Sequence, residues 1–141
     1  MFLLNNSSRF RDFGLFIIRF ATSAIMVYVH GYDKITGGAE HWYQLGSSMG
    51  SIGIHFGYTL WGFLSAFTEF VGGIFIALGL LFRPFALLMV VNFIVASLSL
   101  INAGDPIAHS SIPVEFLCIF VGLLITGPGK FSIDQLIGLN K

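Results

Sequence analysis

Four apolar stretches dominate the pattern of this chain, and each is broken by at most one charged side chain. Phe13 to His30 contains Arg19, Phe56 to Phe82 contains Glu69, Pro84 to Gly104 contains none, and Ser110 to Gly129 contains Glu115. A helix needs about 20 mostly apolar residues to cross a bilayer. The pattern therefore predicts four spans, near residues 13–31, 58–82, 84–102 and 112–128, the fourth having the shortest continuous apolar part. A buried hairpin in a soluble all-α protein would not call for runs of this length. A transmembrane barrel would show roughly ten-residue segments of alternating polarity, whereas these segments are apolar all round. Helices also pair every backbone polar group internally, as lipid demands. The predicted fold is all-α, a four-helix transmembrane bundle in which residues 1–141 form one domain.

The start of the chain imitates a signal peptide, with Arg9 and Arg11 ahead of an apolar run and small residues from Ala21 to Ala24. Arg19 interrupts that run and further spans follow, so the expectation is a retained first helix. Orientation follows from the basic residues outside the spans. With four crossings, Arg9, Arg11, Arg83, Lys130 and Lys141 share one side and Lys34 alone takes the other. Both termini are expected in the cytoplasm, in a multi-pass protein of the inner membrane. The outward loops then lie near residues 32–57 and 103–111. In the first, Trp42, Tyr43, Leu45, Met49, Ile52 and Ile54 stand among Gly and Ser, which suits a short amphipathic segment at headgroup level. It would serve as a lid over the bundle rather than as a substrate gate.

Helical periodicity places the polar residues on faces. The first span aligns Arg19, Ser23, Met26 and His30, with Lys34 continuing past its outer end. The second aligns Ser65, Glu69, Gly72 and Ile76, with Gly73 and Gly79 nearby. The third offers Asn92, Ala96 and Ser99, and the fourth Glu115, Cys118, Gly122 and Thr126. Each face is smaller or more polar than the rest of its helix, as expected where membrane helices pack through small residues and hydrogen bonds. A charge at mid-bilayer costs roughly 2.5–3.5 kcal/mol on insertion scales, and Glu69 is too far from either end of its span to reach the headgroups. Two arrangements answer this: an Arg19–Glu69 pair, or Arg19 extending to the inner surface while Glu69 stays neutral against Asn92.

The outward side gathers His30, His41, His55 and His109, with Asp33, Lys34 and Glu115 at similar depth. Imidazoles beside a carboxylate and an amine are the groups of metal, haem and proton-relay sites, but their spacing matches no metal motif. They read as interfacial hydrogen-bonders, and no metal is assigned. His30, Lys34 and Glu115 are the site candidates there, joining Arg19, Glu69 and Asn92 in a polar interior or pocket. Composition agrees with a membrane protein: 55% hydrophobic residues, 16 Phe, and seven basic against seven acidic side chains. Soluble proteins carry roughly 25% charged residues. Zero net charge gives no reason to expect nucleic acid. Cys118 is the one cysteine, so no intrachain dithiol shuttles electrons. Phosphate loops, Ser-His-Asp arrangements and nucleotide fingerprints are missing. Any chemistry would use a borrowed cofactor or a partner.

From Arg19 to Asp134 the chain resembles the DoxX family of small four-helix membrane proteins. The resemblance rests on Arg19 to His30, Gly31 and Lys34; on Glu69, Gly72, Gly73, Gly79 and Arg83; and on Gly127, Pro128, Gly129, Ser132 and Asp134. Ser23 departs from a frequent Gly, and Leu100, Ile101 and Asn102 stand where the family pattern leads one to look for His. That second departure puts in doubt any role needing a histidine there, unless His109 substitutes. The family is functionally mixed: relatives include what looks like a subunit of a thiosulfate to quinone oxidoreductase, catechol-linked and methylamine-utilisation membrane proteins, and members associated with oxidative-stress complexes. The resemblance implies an accessory or quinone-interacting component of a membrane redox system, without an identifiable cofactor of its own. Protonatable groups beside an apolar cavity are what a quinol headgroup needs. The alternative is a non-enzymatic scaffold or assembly partner; a small transporter built around Glu69 ranks lower, since one short four-helix unit leaves little room for alternating access. Expected partners are the lipid bilayer and either a soluble redox protein or further copies of the chain.

Overall fold

The computed structural model describes residues 7–139, with side chains from residue 9 onward apart from 107–110. The described secondary structure is helical, without strands. Ser7–Ile25 (α1), a π-helical turn over Met26–Gly31, and Tyr32–Thr36 (α2) run on as one rod. Gly38–Gly46 (α3) and a 3₁₀ stretch, Ser47–Ile52, follow. The second rod comprises Tyr58–Phe67 (α4), a π turn over Thr68–Gly72, and Gly73–Leu78 (α5). Then come Phe82–Ala103 (α6), Ile107–Thr126 (α7) and the short Ile133–Leu136 (α8). Three segments are long and apolar enough to cross a membrane: Arg9–Thr36, Tyr58–Leu78 and Phe82–Ala103. In α7 the apolar stretch Ser111–Thr126 is shorter.

Four boundaries differ from expectation by four residues or more; α1 starts at Ser7 and α7 at Ile107, ahead of residues 13 and 112. The first rod continues to Thr36 instead of stopping near residue 31, because Asp33 and Lys34 are tolerated in a helix that has a partner for the lysine. The second rod stops at Leu78, not 82, because the chain turns back through Gly79 (φ 66°) and Leu81 (φ 46°). Arg83, which lies between the predicted second and third spans, falls inside the first turn of α6 with Pro84, where a missing N–H costs no helical hydrogen bond. Leu81 is a branched residue in left-handed backbone, a conformation disfavoured for L-residues. It is held there by Asp134, whose carboxylate accepts from the Leu81 N–H at 2.8 Å and the Phe82 N–H at 2.9 Å. The Asp134 N–H in turn donates to the Gly79 carbonyl at 2.9 Å. One carboxylate thus satisfies two of the unpaired donors that every helix start presents.

Apolar packing fills the centre with Met26, Ile76, Phe82, Ala86, Met89, Phe93, Phe120 and Leu123. Phe93 of α6 stacks on Phe116 and Phe120 of α7 at 5.5 and 5.7 Å between ring centroids. These rings decide how α7 is rotated. The face expected to point inward is turned away: Glu115, Cys118, Gly122 and Thr126 are all exposed. Bulky aromatic area outweighs a stripe of small residues when the two lie on opposite sides of one helix.

The first connection is folded tightly onto the second rod. A Cβ at Gly62 would sit 1.7 Å from the Trp42 carbonyl oxygen, and one at Gly46 would sit 1.7 Å from that of Tyr58, so α3 and α4 touch backbone to backbone. The Trp42 indole donates to the Lys34 carbonyl at 2.8 Å and its ring meets Phe63 edge-on at 5.0 Å. Gly62→Ala should therefore push α3 off α4, seen as faster proteolysis between residues 37 and 57 in the folded protein; unchanged cleavage would contradict the contact. Asp134→Ala strands the buried Phe82 N–H, worth about 1–3 kcal/mol when unsatisfied, and the part-buried Leu81 N–H. It should lower the thermal midpoint in detergent, with Asp134→Asn, which keeps one acceptor, falling in between.

Candidate functional site

Glu69 stands in the π turn of the second rod, and that turn faces the π turn of the first. Glycine makes the approach close: a Cβ at Gly31 would lie 2.8 Å from the Phe70 Cα, and one at Gly73 would lie 2.8 Å from a Val27 methyl. Such turns add a residue to the helical ring and are frequent at functional sites. Glu69 is 2% exposed. Lys34, one turn beyond the first π segment, donates to both Glu69 carboxylate oxygens at 2.7 Å, and the Asn92 amide of α6 donates to Oε1 at 2.8 Å. One side chain therefore ties together the first rod, the second rod and α6.

The Arg19–Glu69 pair does not form. Arg19 lies beside Gly79, roughly ten residues and about 15 Å along the rod from Glu69. There its guanidinium donates to the carbonyls of Pro128 and, at 2.6 Å, of Phe131, in the segment after α7. Arg19 is 1% exposed, so it does not extend to the surface either. Lys34 was expected beyond the outer end of its span, but the longer first rod gives it the reach to turn inward.

Above this cluster opens a cavity of about 350 Å³. Lys34, Glu69 and Asn92 form its polar end, with Ser65 and Thr68 beside them; Trp61, Leu64 and Phe67 of the second rod and Leu88, Val91, Val95 and Ala96 of α6 form apolar walls. Leu45, Ser48, Met49 and Ile52 of the first connection cover it. The polar end keeps hydrogen-bonding capacity for a guest. An ammonium carries three donors and Lys34 uses two on Glu69; the Asn92 amide has a second N–H and a free carbonyl oxygen.

The remaining candidates do not converge here. His30 is half-buried within electrostatic reach of Glu69 and Lys34, but its ring packs edge-on against Phe116 at 5.7 Å and does not line the cavity. Glu115 is exposed on α7, away from the cavity, and has no ionic partner among the described residues. His41 packs against Gly37 and the His55 ring lies 3.3 Å from the Tyr58 hydroxyl, so the outward histidines are dispersed. The His109 side chain lies outside the described residues. Trp61 and Thr68 were missed by the sequence reading, although Trp61 extends the Ser65–Glu69–Gly72 stripe by one more turn. The covering residues carried no such signal, because a connection has no periodicity to read.

The sequence model of the DoxX family matches residues 14–102. That is well over half the chain, and it belongs to this family. The matched segment contains Arg19, Lys34, Glu69 and Asn92 and stops before α7 and Glu115. No curated protein and no solved structure matches the chain.

Removing one partner from a buried ion pair strands the other charge, at about 3–5 kcal/mol. Lys34→Met should accordingly lower the thermal midpoint in detergent sharply, and adding Glu69→Gln to it should restore much of the loss. Strictly additive losses in the double variant would show that the two side chains are not coupled.

Proposed function

We propose that this DoxX-family membrane protein is a quinone-interacting accessory component of a membrane redox system. The observation that carries the reading is the apolar cavity ending in Lys34, Glu69 and Asn92. A quinone ring needs an apolar slot and a donor for its carbonyl oxygen, and a quinol needs an acceptor for its hydroxyl. Spare N–H groups of Lys34 and Asn92 supply the first, and the Glu69 carboxylate and the Asn92 amide oxygen supply the second. His30, next to the pair, is the neighbouring group through which protons could exchange. With a single cysteine in the chain, the electrons are assigned to a partner protein.

In this reading α7 completes a four-helix unit in the inner membrane with both termini on the cytoplasmic side. Support comes from the charges: Arg83 and Lys130 share one polar depression with Asp12, and Lys130 lies 3.6 Å from the Asp12 carboxylate, so basic residues from distant parts of the sequence collect at one end. The segment Gly38–Ile52 would lie at the opposite, extracytoplasmic headgroup level, with half-exposed Tyr43 toward the interface.

A second reading, a membrane scaffold, is favoured by the uncovered face of α7. An exposed Glu115, with no ionic partner among the described residues, beside Cys118 and Gly122 is an unfavourable surface to leave in lipid and suits a covering partner.

The two are separated by titrating the purified protein with decylubiquinone. Of the two tryptophans of the chain, Trp61 lines the cavity and Trp42 is hydrogen-bonded to the Lys34 carbonyl beside it, so the quinone reading expects saturable quenching of tryptophan fluorescence. Asn92→Leu, which removes a donor to the quinone carbonyl, should weaken binding by up to about tenfold, the equivalent of one hydrogen bond. No saturable quenching would leave the scaffold reading.

A further inference from the structure

We infer that the cavity is filled from within the bilayer, through an opening between α4 and α6, and that its guest is a membrane-dissolved amphiphile of the quinone class. This rests on the cavity reading above and adds the route. The route to the outside water is crossed by a fastened segment, in which Ile52 is the one lining residue as exposed as those of the side wall, at 41%. Residues 45–52 lie over the cavity, α3 is fastened to α4 through the Gly46 and Gly62 backbone contacts, and the Asn102 amide of α6 donates to the Ser51 carbonyl at 3.4 Å. The covering segment is thus attached to both flanking helices.

The side wall is different. α6 packs on the π turn of the second rod and on the 3₁₀ stretch, whereas α4 packs chiefly on α3; α4 and α6 themselves meet marginally. Along the gap, three residues belong both to the cavity lining and to the exterior: Leu64 is 41% exposed, Leu88 46% and Val91 51%. All are apolar and lie six to nine residues inside the nearer ends of segments long enough to span a membrane. An opening rimmed by leucine and valine at that depth faces acyl chains, not water. Its one polar end lies inside, at Lys34, Glu69 and Asn92, so a guest arriving from lipid presents its oxygen-bearing head first and leaves an apolar tail trailing into the bilayer.

The test is stopped-flow quenching of tryptophan fluorescence in liposomes reconstituted with the full chain, using decylubiquinone. Association should follow the quinone's mole fraction in the bilayer when lipid content is varied at fixed total quinone. Leu88→Phe and Val91→Phe, which narrow the gap, should slow association by about tenfold, within the one to three decades over which related association rates vary. The thermal midpoint should stay near that of the unaltered chain, and dissociation should slow together with association, because a narrowed route delays both. Since both residues also line the cavity, faster dissociation at an unchanged association rate would assign them to the walls alone and overturn the route. Met49→Phe, which thickens the cover, should slow association less than Leu88→Phe and Val91→Phe do. Slowing by Met49→Phe with no effect at Leu88 and Val91 would place the route at the water-facing side and overturn the inference while keeping the cavity as the binding site. Absence of saturable quenching in the unaltered chain would instead remove the cavity reading, and the route with it.

Discussion

The structure depends most on how Glu69 is accommodated. A carboxylate midway along an apolar rod must be answered from within the protein, because lipid offers neither water nor counter-ions. Here the answer comes from two other helices: Lys34 holds both oxygens and Asn92 holds one. Polar bonds between membrane helices are individually modest, averaging about 0.6 kcal/mol in measured cases, so this cluster is better understood as setting register than as supplying bulk stability. It defines how far the first rod slides along the second and which face α6 presents. Glycine then lets the backbones close on that register, at Gly31 against Phe70 and at Gly73 against Val27.

Farther along the same rods the chain uses a different principle. Around Gly79 the polar groups work on the backbone: Asp134 satisfies the start of α6, and Arg19 satisfies carbonyls after α7. The consequence is a division of labour along one bundle. One end is closed by a segment returning from the C-terminal side, and the other keeps a cavity under a folded connection. At the first end polar groups are turned on backbone, with the Arg19 Nε and an Asp12 oxygen left over in closely packed surroundings, while at the cavity the unused donors and acceptors border open volume. That adjoining volume is what marks the cavity as the place for a guest.

Much of this was legible in the sequence, for physical reasons that differ by residue. The stripe Arg19, Ser23, Met26, His30 and Lys34 predicted a buried face on the first rod, and Ser23 and Met26 are fully buried. Ser65, Glu69 and Gly72 likewise share a face, because a lone carboxylate in an apolar helix leaves few choices. Pairing was harder to read. Periodicity gives the direction of a side chain but not its depth, so Arg19 was matched to Glu69 although Lys34 is the nearer cation once the first rod runs to Thr36. On α7 two signals conflicted, small and polar residues on one side and Phe116, Phe120 and Leu123 on the other, and the aromatic contact with Phe93 prevailed. The docking of α3 was not legible, since it is specified by Gly46 and Gly62, whose meaning appears only when the two helices are brought together.

Arg19 carries a consequence for how this fold records its own history. Its acceptors are the carbonyls of Pro128 and Phe131, which every amino acid supplies alike. A substitution at either position leaves an oxygen in place, and no compensating exchange is required at the arginine. A contact spanning more than a hundred residues of chain is thereby exempt from pairwise drift, and correlated changes between aligned positions would pass over the clamp that joins the first helix to the segment after the last long one.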